Sequence, residues 1–387
     1  MTDKTLKSKN NTIPEFNSHL KNYQIKSKNI DDINGLGMHY LECGDKKNPV
    51  ILLLHGFPEL SFSWRKIMKP LSNLGYFVLA PDLRGYGFTT GSDNTFMDDP
   101  KEFSMPNLVT DIISFLNKLK IKNVSCLIGH DFGSFLAGWC TVIRTDLFNS
   151  VIHMSAPFTG SCEINDNIKS LTEKKTNIIN SLKKLKPPRK HYQFYFSKKC
   201  ANEDMMNCKQ GLRNFLRFYY YMKSGDWPNN RPKPLKSMSA SQLAVMPTYY
   251  IMNYKKTIAQ DVDVKFHNKN YIDNCGWLTE SELDVYHQIY KRTGFQGGLN
   301  WYRCMTSPYF INQLKIFSGK KIEIPATFIS GNKDWGIYQN HNAIVLMKKH
   351  YVNFFDSQFI KDAGHWVQQE NPLETLKKVQ VFLDITS

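Results

Sequence analysis

The fold is decided by the segment VSCLIGHDFGSFLAGWCTVI, residues 124–143. Its first part, VSCLI, is a short apolar run typical of a buried strand, and FLAGWCTVI has the composition of a packed helix. Between them, Gly129 and Gly133 flank a turn in which a larger side chain would collide with neighbouring backbone. A strand, a sharp turn and a helix in this order form a nucleophile elbow, which presents its central residue, Asp131, at the end of a sheet.

Asp131 stands where esterases and lipases have Ser, and a carboxylate nucleophile suits a different reaction. It attacks a saturated carbon that carries a leaving group and forms an alkyl ester with the enzyme. At a carbonyl carbon it would form a reactive anhydride, with no advantage over a serine ester. The turn therefore favours epoxide opening or halide displacement over ordinary ester hydrolysis. The plainer interpretation is a loop carboxylate that caps the following helix.

The composition excludes several classes of protein. The 387 residues are enough for two or three domains with a sizeable core. A formal charge of +16 raises nucleic acid or an anionic membrane as partners. The lysines are dispersed among asparagines and no recognition motif accompanies them, so we predict a solvated basic surface and no nucleic-acid partner.

The cysteines and the N-terminus bear on the cellular compartment. The eight cysteines form no CxxC pair, which favours buried free thiols over a disulfide framework or a zinc site. The first residues lack the apolar run of a signal peptide, and no run of about 18 apolar residues occurs anywhere. We therefore predict a cytoplasmic protein without a transmembrane segment.

The alternation of strand and helix patterns predicts four segments. Residues 1–28, rich in Lys and Asn, are predicted to be a loosely ordered basic tail. Short apolar strands alternate with amphipathic helices over 29–158 and again over 312–387, which predicts an α/β fold with a mostly parallel central sheet. The alternation lapses over 159–311, which we interpret as an inserted, mainly helical cap (lid) domain.

Two further residues complete a catalytic constellation with Asp131. Asp334 ends the predicted strand IPATFISGNKD, and His365 follows the last strand pattern. The order nucleophile, acid, base is that of the α/β-hydrolase triad. In such a triad His365 removes a proton from the water that cleaves the ester, and Asp334 orients the imidazole. Alone, Asp334 could be a turn residue and His365 a loop histidine, but the shared order of all three favours the triad.

Epoxide opening also needs an oxyanion site and a proton donor. The turn HGFPEL (55–60) can present the backbone N–H of Phe57, and together with the N–H of Phe132 it is predicted to hold the developing oxyanion. A Tyr hydroxyl suits the departing epoxide oxygen because it donates while staying neutral near pH 7. The inserted region has many tyrosines, and composition does not choose among them.

Three neighbouring polar residues are predicted to be structural. Asp82 and Arg84 in DLRGYG are expected to pair with each other and stabilise their loop. His130 precedes the nucleophile, and its side chain is expected to point into the sheet. None of the three is assigned to the chemistry.

The motifs together resemble the epoxide hydrolases of the α/β-hydrolase superfamily, from about residue 35 to the C-terminus. The resemblance implies an α/β-hydrolase fold with a cap domain. It also maps the family's lid tyrosines onto Tyr192 and Tyr302, which would hold the epoxide oxygen, and it implies a cis peptide before Pro58. The matching stretches are HGFPEL, DLRGYG, GHDFGS, RTGFQGGLNWYR (292–303), SGNKDWG and GHWVQQE (364–370).

The sequence thus predicts an epoxide hydrolase, a hydrolase acting on ether bonds, that converts an apolar epoxide and water to a vicinal diol through an Asp131 ester. We expect no metal and no organic cofactor, because protein groups and water complete the chemistry. A haloalkane or haloacid dehalogenase with the same triad is the first alternative, weakened by Phe132 where that family usually has a halide-binding Trp. A non-catalytic ligand-binding relative is the second. The oligomeric state stays open, a homodimer included.

Overall fold

The computed structural model describes residues 13–263 and 275–386, and every structural statement below concerns these residues. Its strands are β1 (Lys26–Ile33), β2 (Leu36–Cys43), β3 (Val50–Leu54), β4 (Phe77–Pro81), β5 (Cys126–His130), β6 (Val151–Met154), β7 (Arg189–His191), β8 (Ile251–Asn253), β9 (Ala326–Gly331) and β10 (Phe354–Ile360). Its α-helices are α1 (Pro14–Asn22), α2 (Arg65–Asn73), α3 (Met105–Lys118), α4 (Phe132–Ile143), α5 (Ile168–Lys183), α6 (Tyr192–Phe196), α7 (Cys200–Met206), α8 (Leu212–Lys223), α9 (Ala240–Leu243), α10 (Ile258–Asp261), α11 (Glu280–Thr293), α12 (Gln296–Met305), α13 (Pro308–Gln313), α14 (Ala343–His350), α15 (Val367–Glu370) and α16 (Pro372–Thr386). Its short 3-10 helices are Ser61–Trp64, Lys101–Phe103, Leu314–Phe317 and Trp335–Tyr338.

The core is one sheet, which in the described residues has eight strands in the order β1-β2-β4-β3-β5-β6-β9-β10. β2 runs antiparallel to β1 and β4, whereas the other neighbours are parallel. Strands β3 and β5 are buried along their whole length, as expected for parallel strands covered by helices on both faces. The predicted α/β class with a mostly parallel sheet is confirmed.

The register of the parallel strands brings distant loops to one edge of the sheet. Leu54 at the end of β3 pairs with Gly129 in β5, so the turn after β3 and the elbow after β5 lie side by side. Met154 at the end of β6 pairs with Ile329 of β9, which brings the loop carrying Asp334 to the same edge. This is the edge at which open α/β sheets bind ligands.

Between β6 and β9 the chain leaves the sheet. It forms helices α5 to α13 and the small antiparallel pair β7–β8. Helix α11 begins with a capping box: the Thr279 hydroxyl accepts from the N–H of Glu282, whose carboxylate accepts from the N–H of Thr279. Among the described helices, none combines the length and the apolar character that a transmembrane span requires.

The N-terminal segment corrects one prediction. The loose tail predicted over residues 1–28 is wrong where the structure describes it, from residue 13 onward, because helix α1 and the start of β1 lie there. Phe16 and Leu20, one helical turn apart, are 4% and 3% exposed, and the Phe16 ring lies 5.8 Å from that of Phe62. Two apolar residues among polar ones are a weak helical signal, and their partners lie far along the chain.

The loop after β4 corrects a second prediction, the pairing of Asp82 with Arg84. Asp82 and Arg84 do not pair with each other: the Asp82 carboxylate lies 2.7 Å from His39 Nδ1, and Arg84 binds Asp111 through two nitrogens, at 2.7 and 2.8 Å. Both residues are structural, as expected, but each joins the loop to a different element. Residues two apart in an irregular loop point in different directions, so sequence proximity did not predict their partners.

Candidate active site

The predicted strand, turn and helix of the elbow are present. Asp131 lies between β5 and α4 with φ 54° and ψ −116°, a left-handed conformation that strains any residue except glycine. A Cβ atom on Gly133 would clash with the carbonyl of Leu54, so glycine is required where α4 approaches β3. Among the described residues the Asp131 carboxylate makes no capping hydrogen bond to α4, and the helix-cap interpretation therefore fails.

The three predicted triad residues lie together. His365 Nδ1 lies 3.1 and 3.2 Å from the two carboxylate oxygens of Asp334. On the other side of the ring, His365 Nε2 faces Asp131 Oδ2 at 3.4 Å and has no hydrogen-bond partner within the described chain. Asp334 and His365 are each 1% exposed. The imidazole thus lies between two carboxylates, with its Nε2 atom directed at Asp131.

Asp334 is held as an ionised acceptor. Its Oδ1 accepts from the N–H of Gly336 at 2.6 Å, and its Oδ2 accepts from the Ser330 hydroxyl at 3.3 Å. Burial by itself raises the pKa of Asp334, but His365 and the Gly336 N–H outweigh it, and the net pKa lies below its usual value. An ionised Asp334 accepts a hydrogen bond from the Nδ1–H of His365, which favours the tautomer whose Nε2 is unprotonated and able to accept a proton.

A second network, which sequence reasoning missed, holds the main chain of His365. His130 Nε2 donates to the His365 carbonyl at 2.7 Å, and His130 Nδ1 lies 2.5 Å from Glu59 Oε2. The N–H of His365 donates to the carbonyl of Lys223 at 2.9 Å. His130 and Glu59 stand in the motifs GHDFGS and HGFPEL, but nothing in either motif indicates that they bind each other.

The turn after β3 supplies a donor to the nucleophile. The N–H of Phe57 donates to Asp131 Oδ1 at 3.0 Å. Gly56 allows this approach, since a Cβ there would clash with the Asp131 side chain. The peptide between Phe57 and Pro58 is cis, as the family resemblance implies. Phe132 begins α4, where backbone N–H groups lack partners within the helix, so the second predicted donor is not used by the helix itself.

The Asp131 carboxylate is strongly biased toward the ionised form. Burial raises its pKa, but the neighbouring His365, followed by the charges of Lys223 and His130, lowers it well below its usual range. The nucleophile is therefore ionised at neutral pH.

Two tyrosines line the same cavity as Asp131. A cavity of about 140 Å³ is lined by Asp131, Tyr192 and Tyr302, the two tyrosines that line it in the described part of the chain. Their ring centroids lie 5.8 Å apart, and Gln193 Nε2 donates to the Tyr192 hydroxyl at 3.4 Å. Burial, with the Asp131 charge adding to it, raises the pKa of both tyrosines. Both hydroxyls therefore stay protonated and can donate.

The arrangement combines an ionised carboxylate, an imidazole beside it and two protonated tyrosines in the lining of one cavity. Such a set can form an alkyl ester at a saturated carbon, protonate the departing oxygen and then hydrolyse the ester. Residues 13–263 and 275–386 contain no group of three or more His, Cys, Asp or Glu placed to hold a metal ion.

Comparison with known proteins agrees with this geometry. A family model described as the alpha/beta hydrolase fold matches residues 49–372, which include the elbow and all three triad residues. The chain belongs to the α/β-hydrolase fold family. The fold class predicted from the sequence is thereby confirmed, and the observed sheet and elbow agree with it.

Named α/β-hydrolase relatives are epoxide hydrolases. Epoxide hydrolase B of Mycobacterium tuberculosis is 28% identical over 339 residues, which cover 88% of this chain and 92% of the relative. Epoxide hydrolase 3 of Siraitia grosvenorii is 27% identical over 364 residues, covering 91% and 96%. The structure of potato (Solanum tuberosum) epoxide hydrolase I superposes with a TM-score of 0.72 at 26% identity and covers 93% of this chain and 99% of its own. The resemblance to epoxide hydrolases is confirmed.

Proposed function

We propose that this α/β-hydrolase is an epoxide hydrolase that makes vicinal diols. One observation carries the proposal: an ionised carboxylate nucleophile and two protonated tyrosines line the same cavity. A carboxylate nucleophile is suited to a saturated carbon, and hydroxyl donors opposite it are suited to an oxygen leaving group. The relatives named above support the same assignment.

In the first step Asp131 opens the ring. Oδ1 is held by the Phe57 N–H, which leaves Oδ2 as the attacking oxygen. A bond forms between Oδ2 and one epoxide carbon, and the bond between that carbon and the ring oxygen breaks. The ring oxygen takes a proton from Tyr192 or Tyr302, so the negative charge of Asp131 passes to a tyrosinate. The product is a hydroxyalkyl ester.

In the second step water cleaves that ester. His365 Nε2 takes a proton from water, and the hydroxide adds to the Asp131 carbonyl carbon. The backbone N–H groups of Phe57 and Phe132 stabilise the oxyanion on Oδ1. Collapse breaks the bond between the acyl carbon and the alkyl oxygen. The proton of the newly added hydroxyl passes to that departing oxygen, which returns the Asp131 carboxylate and releases the diol. The proton held by His365 then returns to the tyrosinate, and Asp334 stabilises the imidazolium in the meantime.

The segment between β6 and β9 is proposed to be the cap domain, over residues 159–311. It supplies Tyr192 and Tyr302 to the cavity above Asp131. A second cavity of about 400 Å³ shares Phe132 with the first, and most of its lining residues are apolar, which favours an apolar epoxide as substrate. Its apolar lining residues include Phe103, Met105, Leu108, Phe135, Trp139, Trp301, Phe310 and Leu314.

The test is product analysis with purified protein offered aryl and alkyl epoxides, haloalkanes and fluoroacetate. Diol formation by the wild type that is absent in Asp131→Ala supports the proposal. In His365→Gln the ester cannot be hydrolysed, so the peptide containing Asp131 should gain the full mass of the epoxide. If the wild type converts epoxide but His365→Gln accumulates no adduct on Asp131, a covalent mechanism is contradicted.

Halide release without diol formation would assign the protein to the dehalogenases, which use the same triad. The Phe132 side chain weighs against this, since it carries no N–H donor for halide. Binding without any turnover would favour a non-catalytic relative. The cytoplasmic location, the absence of a nucleic-acid partner and the oligomeric state stay predictions from the sequence.

A further inference from the structure

Lys223, the last residue of α8, is a buried lysine whose charge has no anionic contact. It is 4% exposed, and its Nζ lies over the rings of Tyr250, Trp366 and Tyr219 at 5.0, 5.2 and 5.3 Å. Within the described chain, its ammonium makes no hydrogen bond and no ion pair. Burying an ammonium group is costly, so a position like this calls for a compensating interaction.

The groups around Lys223 identify the interaction that compensates its buried charge. Its carbonyl accepts the N–H of His365 at 2.9 Å, so the end of α8 is attached to the loop that carries the base. Burial lowers the pKa of Lys223, and the charges that oppose this are those of Asp131, Asp334 and Glu59. Two of these carboxylates belong to the triad, and the third belongs to the network behind it.

The charges in the triad do not balance without Lys223. Ester hydrolysis needs a neutral His365. If the enzyme passes from ring opening to hydrolysis without releasing a proton, His365 is already neutral when Asp131 attacks, and a neutral imidazole cannot compensate the charges of Asp131 and Asp334. The His130–Glu59 pair does not help. His130 Nε2 must carry a proton to donate to the His365 carbonyl, so the 2.5 Å contact joins either imidazolium to carboxylate or imidazole to carboxylic acid. Both forms have zero net charge.

We propose that the Lys223 ammonium is the fixed counter-cation that keeps the Asp131 carboxylate ionised while His365 is neutral. The three rings hold the ammonium by cation–π attraction without neutralising it, whereas a carboxylate partner would cancel its charge. Lys223 touches no reacting atom and acts through Asp131, so it is a positioning residue. The inference rests on the proposed function only in treating Asp131 as nucleophile and His365 as base.

Other ionisable groups around Lys223 do not replace it. Lys333 donates to the Gly225 carbonyl at 3.1 Å, but its side chain is 36% exposed and lies 3.3 Å from the Asp362 carboxylate, so its charge is screened. Glu370 accepts the N–H of Gly225 at 2.8 Å and adds no positive charge. The ionisable groups on the elements packed around the end of α8 include Tyr219, Tyr250, Glu59, His130, Asp131, Asp226, Lys333, Asp334, His365 and Glu370.

The experiment compares Lys223→Met, which keeps the length of the side chain without its charge, with Lys223→Arg. Lys66→Met is the matched control, because Lys66 is also largely buried but its ammonium donates to the Trp277 carbonyl at 2.5 Å. The ionisation of Asp131 is followed without substrate, by infrared difference spectra between each protein and the same protein carrying Asp131→Asn. The pH profile of ester formation is then measured in single-turnover experiments with an epoxide.

We expect Lys223→Met to raise the pKa of Asp131 by about 1 to 3 and to move the acid limb of ester formation to higher pH by the same amount. In Lys223→Arg, the pKa of Asp131 and the acid limb should both match those of the wild type. Lys66→Met should shift neither the pKa nor the acid limb. If Lys223→Met does not fold, Lys223→Gln takes its place. A folded variant with an unshifted Asp131 titration overturns the role, whatever its activity. A shifted titration in a protein that opens no epoxide supports the role and overturns the proposed function instead.

Discussion

His130 Nε2 donates to the carbonyl of His365 at 2.7 Å, which joins the residue before the nucleophile to the base 235 positions later. The Ser155 hydroxyl donates to the same carbonyl at 2.8 Å. The main chain of the base is therefore anchored from the ends of β5 and β6, the strands that also position the nucleophile. This explains how groups far apart in the chain keep one geometry.

Replacing His130 by Ala should disturb the base more than the nucleophile. The change removes the bond to His365 and leaves Glu59 without its imidazole, so we expect the free energy of unfolding to fall by about 1–3 kcal/mol. Ester hydrolysis should slow more than ester formation, which single-turnover quench experiments separate. Ser155→Ala removes only the second bond and serves as the milder control. Equal losses in both steps would contradict a role through His365.

Removing the hydroxyls of Tyr192 and Tyr302 should stop epoxide opening selectively. General acid catalysis contributes about 10²–10⁴-fold, so we expect the double Phe variant to lose at least about 100-fold in the rate of ester formation, with smaller losses in each single variant. Tyr219→Phe is the control, because its buried hydroxyl has no partner among the described residues and does not line the cavity. Unchanged epoxide turnover in the double variant would exclude the tyrosines as proton donors.

Phe16→Ala tests whether helix α1 is part of the folded core. The side chain is 4% exposed, and truncation of a buried Phe costs about 3–5 kcal/mol. We expect a loss of that size in urea unfolding, with the turnover number of the folded protein unchanged. Leu373→Ala is the comparison, since that side chain is 72% exposed and its loss should cost little. A stability close to that of the wild type would mean that α1 is not docked in solution.

The buried pair of Arg65 and Glu282, 2.8 Å apart, predicts an acid-sensitive stability. Burial raises the pKa of Glu282, but Arg65 outweighs it and lowers the pKa from 4.5 to about 2. Because the folded-state pKa is the lower one, the ionised carboxylate stabilises the fold above about pH 4.5. This contribution is lost as the pH falls toward 2.

Urea unfolding at a series of pH values should show this loss in the wild type and a flatter profile in Glu282→Gln. The variant should also lose about 3–5 kcal/mol at neutral pH, because Arg65 is then buried without its partner. Glu374→Gln, at an exposed position, should behave like the wild type. An unchanged pH profile in Glu282→Gln would show that other carboxylates carry the acid sensitivity.

Much of the fold and the three residues of the proposed triad could be predicted from the sequence alone. The elbow at residues 124–143 needs only a strand, two glycines and a helix that are neighbours along the chain. Asp334 and His365 each follow a strand pattern, and parallel strands bring their carboxyl ends to one edge. Local patterns were sufficient here because each of the three residues follows a parallel strand, and neighbouring parallel strands end at the same edge of the sheet. Tyr192 and Tyr302 were indicated only by the family resemblance.

The tertiary structure alone decided which charged groups meet. A lysine at the end of a helix indicates a solvated surface, yet Lys223 is buried among rings from α8, from the residue before β8 and from the residue after His365. The His130–Glu59 pair and the docking of α1 depend in the same way on segments far apart in the chain. The free energy of a buried charge is set by what surrounds it in three dimensions, and no local pattern of residues contains that information.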